Sequence, residues 1–288
     1  MIQDFLQYDF IRNAALVGLM IGFLAPLLGV FIVVRRQALI ADALSHITLA
    51  GIAASLLLSK QVTAFKMLNP VYIGMAFSVA GSILIERLRK EYKHYQELAI
   101  PIILSVGIGL SVIFISLANG FNTDLFNYLF GSIIAVGTSD VWMVLTILII
   151  VVILVSVFYK ELFLLSFDED QAQVSGIRSR SIHFMFMVMV ALVIAASMRI
   201  VGILLVSSLI TLPVAASIRI SRGFKQTIFI AILFGETSVI AGLVSAYYFD
   251  LAPGGTIVLL AALILVLVIL WKKFRYSFGT NRKVGEKS

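Results

Sequence analysis

Long apolar stretches separated by short polar links set the pattern of this chain. Val141 to Phe158 and Leu251 to Trp271 hold no charged side chain at all. A run of about 18 or more such residues is long enough to cross the hydrocarbon of a bilayer as a helix. Applied along the chain, this pattern predicts nine spans, at 11–34, 38–58, 69–88, 98–118, 138–159, 182–198, 200–217, 226–248 and 255–271. The break near Met198-Arg199 decides the number, because one bent helix there would reduce the count to eight. Pro26, Pro213 and Pro253-Gly-Gly mark places where the backbone is expected to bend. Asn119 to Gly137 is too short and too polar at its ends for a crossing. Its interior, Leu125-Phe-Asn-Tyr-Leu-Phe130, predicts a short helix lying at, or dipping into, the outer surface.

Composition agrees with that pattern. Of 288 residues, 61% are hydrophobic and 13% charged, with a mean hydropathy of +1.07; soluble domains average about 45–50% and 25%. The expected fold is therefore an all-α polytopic membrane bundle. Residues 1–275 form a single transmembrane domain with a cytoplasmic segment at 160–180, and 276–288 form a polar, basic, flexible tail. The chain has no cysteine, which removes disulfides, thiolate metal sites and cysteine nucleophiles.

The excess of Lys and Arg, 22 against 15 acids, reads as membrane topology and not as nucleic-acid binding. With the N-terminus outside, eighteen of the basic residues fall in the inner links and tail. Only Arg12, Lys60, Lys66 and Arg199 fall outside. The positive-inside rule then places the C-terminus in the cytoplasm. The opening residues lack the basic start and cleavage site of a removable signal peptide and are expected to stay in the chain.

Chemistry concentrates in the second span. Asp42 and His46, four residues apart in apolar sequence, share one helix face that Ala50 and Ala53 continue with small side chains. Ionisable groups at such depth are costly and commonly functional. A carboxylate with an imidazole suits Zn²⁺ and, less demandingly, Mn²⁺. The same spacing is equally compatible with an intrahelical hydrogen bond between two buried polar groups. Glu236, in the eighth span, is the other deep acid: either it faces the same pathway or it is a protonated or hydrogen-bonded structural glutamate. His94 and His183 read as ordinary solvated or interfacial histidines. Between spans five and six, Phe163 to Ile177 reads as a short capped acidic helix. Ser166 and Glu169 have capping-box spacing, Asp168 and Asp170 suit its positive end, and Gly176 supplies the stop. It is either a docking element for another protein or a plain surface helix. Walker A, Gly-x-Ser-x-Gly and His-Glu-x-x-His patterns are absent, so the chain is not expected to be an enzyme.

Four segments together resemble the permease subunits of the ABC-3 family of zinc and manganese importers. They are Val34-Arg-Arg-Gln-Ala-Leu-Ile-Ala-Asp-Ala-Leu-Ser-His46 with Leu49-Ala-Gly51; Asp124-Leu-Phe-Asn-Tyr-Leu-Phe-Gly131; Ser166-Phe-Asp-Glu169 with Ala172 and Gly176; and Val201-Gly-Ile-Leu-Leu-Val206 through Leu212-Pro213. The likeness covers nearly the whole chain. Ala41 and Ala50 resemble the zinc branch, so the expected cargo is Zn²⁺, with Mn²⁺ the alternative. The resemblance implies a cell-membrane permease working as a homodimer within lipid, with two cytoplasmic ATPase subunits and an external metal-binding protein. ATP is bound by the partner alone, and the chain holds no resident cofactor. It makes Asp42 and His46 the metal pathway pair; Glu236 gains little from it and stays a candidate pathway acid on its position alone. Ser166, Phe167, Asp168, Glu169, Ala172 and Gly176 become the helix that couples to the ATPase. A more distant reading is a secondary transporter or channel that uses Asp42, His46 and Glu236 as a relay; an intramembrane enzyme is a third.

Overall fold

The computed structural model of the chain describes residues 8–61, 68–92, 94–118, 120 and 123–284. The side chains of Gln61, Asp124, Glu169, Asp170, Gln173 and residues 275–284 lie outside that description. The described residues form twelve α-helices: α1 (Asp9–Val34), α2 (Leu39–Gln61), α3 (Pro70–Glu91), α4 (Ala99–Leu117), α5 (Thr123–Phe130), α6 (Thr138–Val157), α7 (Tyr159–Phe167), α8 (Glu169–Val174), α9 (Ser179–Val201), α10 (Ile203–Ile220), α11 (Phe224–Phe249) and α12 (Pro253–Val284). Nine of these helices, counted among the described residues, are long and apolar enough to cross a membrane, and they match the nine runs read from the sequence. α5 is the expected short helix. The tail expected from residue 276 is helical as far as Val284.

Polar contacts between helix ends sort the bundle into two levels. At the upper level Asn13 near the start of α1 meets Thr138 at the start of α6, and Asn69 before α3 and Arg199 near the end of α9 both reach Asp140. At the lower level Arg35 after α1 and Arg89 near the end of α3 converge on His183 near the start of α9, and Lys272 of α12 bonds the Arg219 carbonyl of α10. α9 thus rises and α10 descends. The reversal occurs at Gly202, with φ +82°, a left-handed value at which a side chain is strained. The expected break lay three to four residues earlier, because Arg199 marks it in sequence. In the structure Arg199 is still helical, and its side chain turns inward.

Most of α1, α2 and α9 is buried, whereas α3, α4, α6 and α12 leave two thirds or more of their length open. Their outer faces are nonetheless apolar: Val112, Ile153 and Leu259 are exposed. Such a surface is at rest in hydrocarbon, where only backbone polar groups require internal partners, and helices supply those. Pro26 and Pro213 sit inside α1 and α10, which continue through them.

Candidate functional site

α2 is enveloped by α3 and α4 on one side and by α9 and α10 on the other. Glycines bring the backbones together: a Cβ on Gly107 of α4 would lie 3.0 Å from the Ile47 nitrogen, and one on Gly74 of α3 would lie 3.0 Å from the Thr48 side chain. Ser111 Oγ lies 3.0 Å from the His46 carbonyl oxygen and 2.7 Å from that of Gly107, tying α4 to the turn that carries His46. From Ile40 to Ser55 every residue is buried except Asp42 and His46. Within that stretch the helix opens at its acid and its imidazole alone, whereas Leu39 and Lys60 at its ends are exposed as well. No hydrogen bond joins these two side chains, so the intrahelical pair that the spacing also allowed does not form. Ala50 and Ala53 are fully buried, and the open part of the face ends at His46 instead of continuing through them.

Glu236 is not brought to this pair. It lies on α11, which packs on α1, α10 and α12, and its Oε2 faces Gly22 of α1. That oxygen is buried with no hydrogen-bond partner among the described residues.

The 166–176 region is two short helices and not one. Ser166 belongs to the last turn of α7, is buried, and donates to the Leu162 carbonyl at 2.6 Å. It does not cap the next helix, which corrects the predicted capping box. Asp168, extended at φ −153°, is the cap of α8: its Oδ1 accepts the Gln171 N–H at 2.9 Å. The Glu169 side chain lies outside the described residues. Gly176, at φ +80°, ends the segment, and the Ile177 N–H returns to the Ala172 carbonyl at 3.1 Å. Ala172 is fully buried, while Phe167 is 61% and Val174 90% exposed. Two apolar side chains beside an acid are thus left open at the lower level.

The structure also shows polar groups that the sequence reading passed over. At the upper level the Arg199 guanidinium pairs with Asp140 at 2.7 Å and bonds the Ala135 carbonyl at 3.0 Å, Tyr128 at 3.2 Å and Asn69 at 3.3 Å. Asp140 also accepts the Gly137 N–H at 2.9 Å. At the lower level His183 is buried, contrary to the solvated reading. Its Nδ1 lies 3.0 Å from Arg35, and its Nε2 lies 2.8 Å from Arg89 and 3.4 Å from Glu86. The available signal was weak: single charges at the ends of apolar runs, with partners 59 to 148 residues away.

Among the described residues, nine helices fit to cross a membrane, one of them enveloped and open between Ile40 and Ser55 only at an acid and a histidine, have the build of a membrane-transport subunit. The comparison with known families makes that specific. The sequence profile of the ABC 3 transport family matches residues 7–272, and the chain belongs to that family. It is 37% identical over 264 residues to a Treponema pallidum protein named "Probable metal transport system membrane protein", covering 92% of this chain and 96% of that one. It is 34% identical over 281 residues to the manganese import system permease protein ScaB of Streptococcus gordonii, covering 96% and 98%. Among solved structures it matches a chain of PsaBC from Streptococcus pneumoniae, determined in complex with Fab. The TM-score is 0.80 at 30% identity, with 93% of both chains covered. The chain is thus a membrane permease subunit of an ABC metal importer.

Proposed function

We propose that the chain forms the pathway of an ATP-driven manganese importer. Two copies face one another so that Asp42 and His46 of each meet a passing ion. The observation that carries this is that α2, between Ile40 and Ser55, opens at those two side chains alone. Two ligands per copy are enough to replace part of the ion's water and few enough to release it. A carboxylate and imidazole set accepts either Mn²⁺ or Zn²⁺. The expectation of zinc rested on Ala41 and Ala50; both are fully buried, so neither side chain meets the ion. The name of the related ScaB favours manganese.

The lower level is the cytoplasmic one in this reading, because Arg35, Arg36, Arg87, Arg89, Lys90, Lys160, Arg178 and Arg180 gather there. α7 and α8 then meet the ATPase through Phe167, Asp168 and Val174, while the upper level receives metal from an external binding protein. The test is uptake of Mn²⁺ and Zn²⁺ by proteoliposomes containing the chain with its ATPase. Asp42→Asn and His46→Ala should each lower uptake at least about tenfold, since loss of even a ligand's outer hydrogen-bond partner costs about 10–100-fold, with ATPase association intact. The imidazole binds metal only when neutral. Wild-type uptake should therefore hold at neutral pH and fall once acid protonates the ring. Normal uptake in both variants at matched protein levels returns the pair to a structural role.

A further inference from the structure

The reading above leaves open how movement at α7 and α8 reaches a pair of ligands on α2, because these elements are not neighbours in the packing. One side chain bridges the gap. Arg35 donates from Nε to Ser166 Oγ at 3.2 Å and from Nη2 to the Leu162 carbonyl at 3.5 Å, both in α7. Its Nη1 reaches His183 Nδ1 of α9 at 3.0 Å, and its guanidinium lies 4.9 Å from the Phe186 ring centroid. A neutral imidazole accepts through one nitrogen only. Arg35 at Nδ1 and Arg89 of α3, 2.8 Å from Nε2, therefore compete for that one acceptor, and Glu86 of α3 lies 3.4 Å from Nε2, which ties a fourth helix to the same joint.

The backbone leaving Arg35 is short and tightly bonded. The N–H groups of Arg36 and Gln37 return to the Val33 and Ile32 carbonyls, both at 3.0 Å, and α2 starts at Leu39. Arg36 is held at φ +57°, a left-handed value uncommon for a residue with a side chain. A link with those constraints has little slack. A displacement of the guanidinium therefore moves the start of α2, and Asp42 is in its first turn.

We propose that Arg35 is a positioning residue that transmits displacement of the docking segment to Asp42 and His46. This rests on the transport reading, and two measurements keep the two ideas apart. In the reconstituted complex, Arg35→Gln should bind the ATPase normally and hydrolyse ATP at near the wild-type rate. Metal moved per ATP should fall about tenfold, within the range of mutations along a coupling route. Arg35→Lys keeps the charge but has no fork to hold Ser166, Leu162 and His183 together, and should give an intermediate ratio. An unchanged ratio in Arg35→Gln overturns the proposal.

The second measurement needs no cargo or ATPase. In the cysteine-free chain, the single cysteine made by Asp42→Cys is labelled with a maleimide, with and without Arg35→Gln, on material eluting as one folded species. The labelling rate should change about threefold or more when the joint is released. Equal rates overturn the proposal. Failure of the wild-type complex to take up metal refutes the transport reading, and labelling still decides the role of Arg35.

Discussion

The upper and lower levels of the bundle each gather arginine and buried polar groups, but they are built to different ends. Above, one guanidinium meets one carboxylate at 2.7 Å, with the Asp140 side chain only 2% exposed and the guanidinium's other hydrogen bonds all to neutral oxygens. Below, two guanidiniums share one imidazole, with Glu86 at its edge, beside an open cleft that Gln37, Leu165 and Phe167 also line. The upper cluster is charge-matched and pins the starts of α3 and α6 to the end of α9. The lower cluster has more donors than the ring can accept, so its bonds can be exchanged without leaving a carboxylate stranded. The first arrangement suits a fixed anchor and the second a working joint.

The sharpest way to break this contrast is Asp140→Ala, which strands Arg199 in its half-buried setting and removes the acceptor for Gly137. Loss of one partner of such a pair costs about 3–5 kcal/mol. Thermal denaturation followed by size-exclusion should show a large drop, with little monodisperse protein recovered. His183→Ala should cost less, about 1–2 kcal/mol, because the donors it frees can reach water in the cleft; equal losses at the two levels would erase the distinction. Asp168→Ala removes the cap of α8 and should cost about 1 kcal/mol, seen as faster amide exchange at Gln171 with the melting temperature nearly unchanged. Smallest of all is Glu236→Gln. It keeps the shape beside Gly22 and should alter stability by less than about 0.5 kcal/mol and uptake by less than twofold; a larger loss of uptake would bring Glu236 back into the pathway.

The spans were legible because hydrocarbon imposes a length and an apolar composition on each helix, and both are local properties. Asp42 and His46 stood out for the same reason, as polar interruptions at helical spacing. The sequence does not reveal which groups meet across the bundle. Arg199 looked like a loop residue and turned out to be helical, with its partner 59 positions away in Asp140. His183 looked solvated because its immediate neighbours are a helix start and basic residues; α1 and α3 bury it. Ser166 matched a capping pattern, but a hydroxyl that already donates to Leu162 within its own helix leaves the next helix to Asp168.

The reversal at Gly202 is part of a larger meeting of backbones. A Cβ on Gly202 would lie 2.6 Å from the Phe130 carbonyl carbon, one on Gly131 would lie 2.7 Å from that of Ile200, and one on Gly254 would lie 2.7 Å from the Phe130 oxygen. Three distant stretches of chain touch there with no side chain between them. Every codon change away from glycine adds at least one carbon, and no neighbouring rotamer can make room for it. In the mutational record of this chain, sites 131, 202 and 254 should therefore behave as one inherited unit, intolerant of substitution together although they are far apart in the gene.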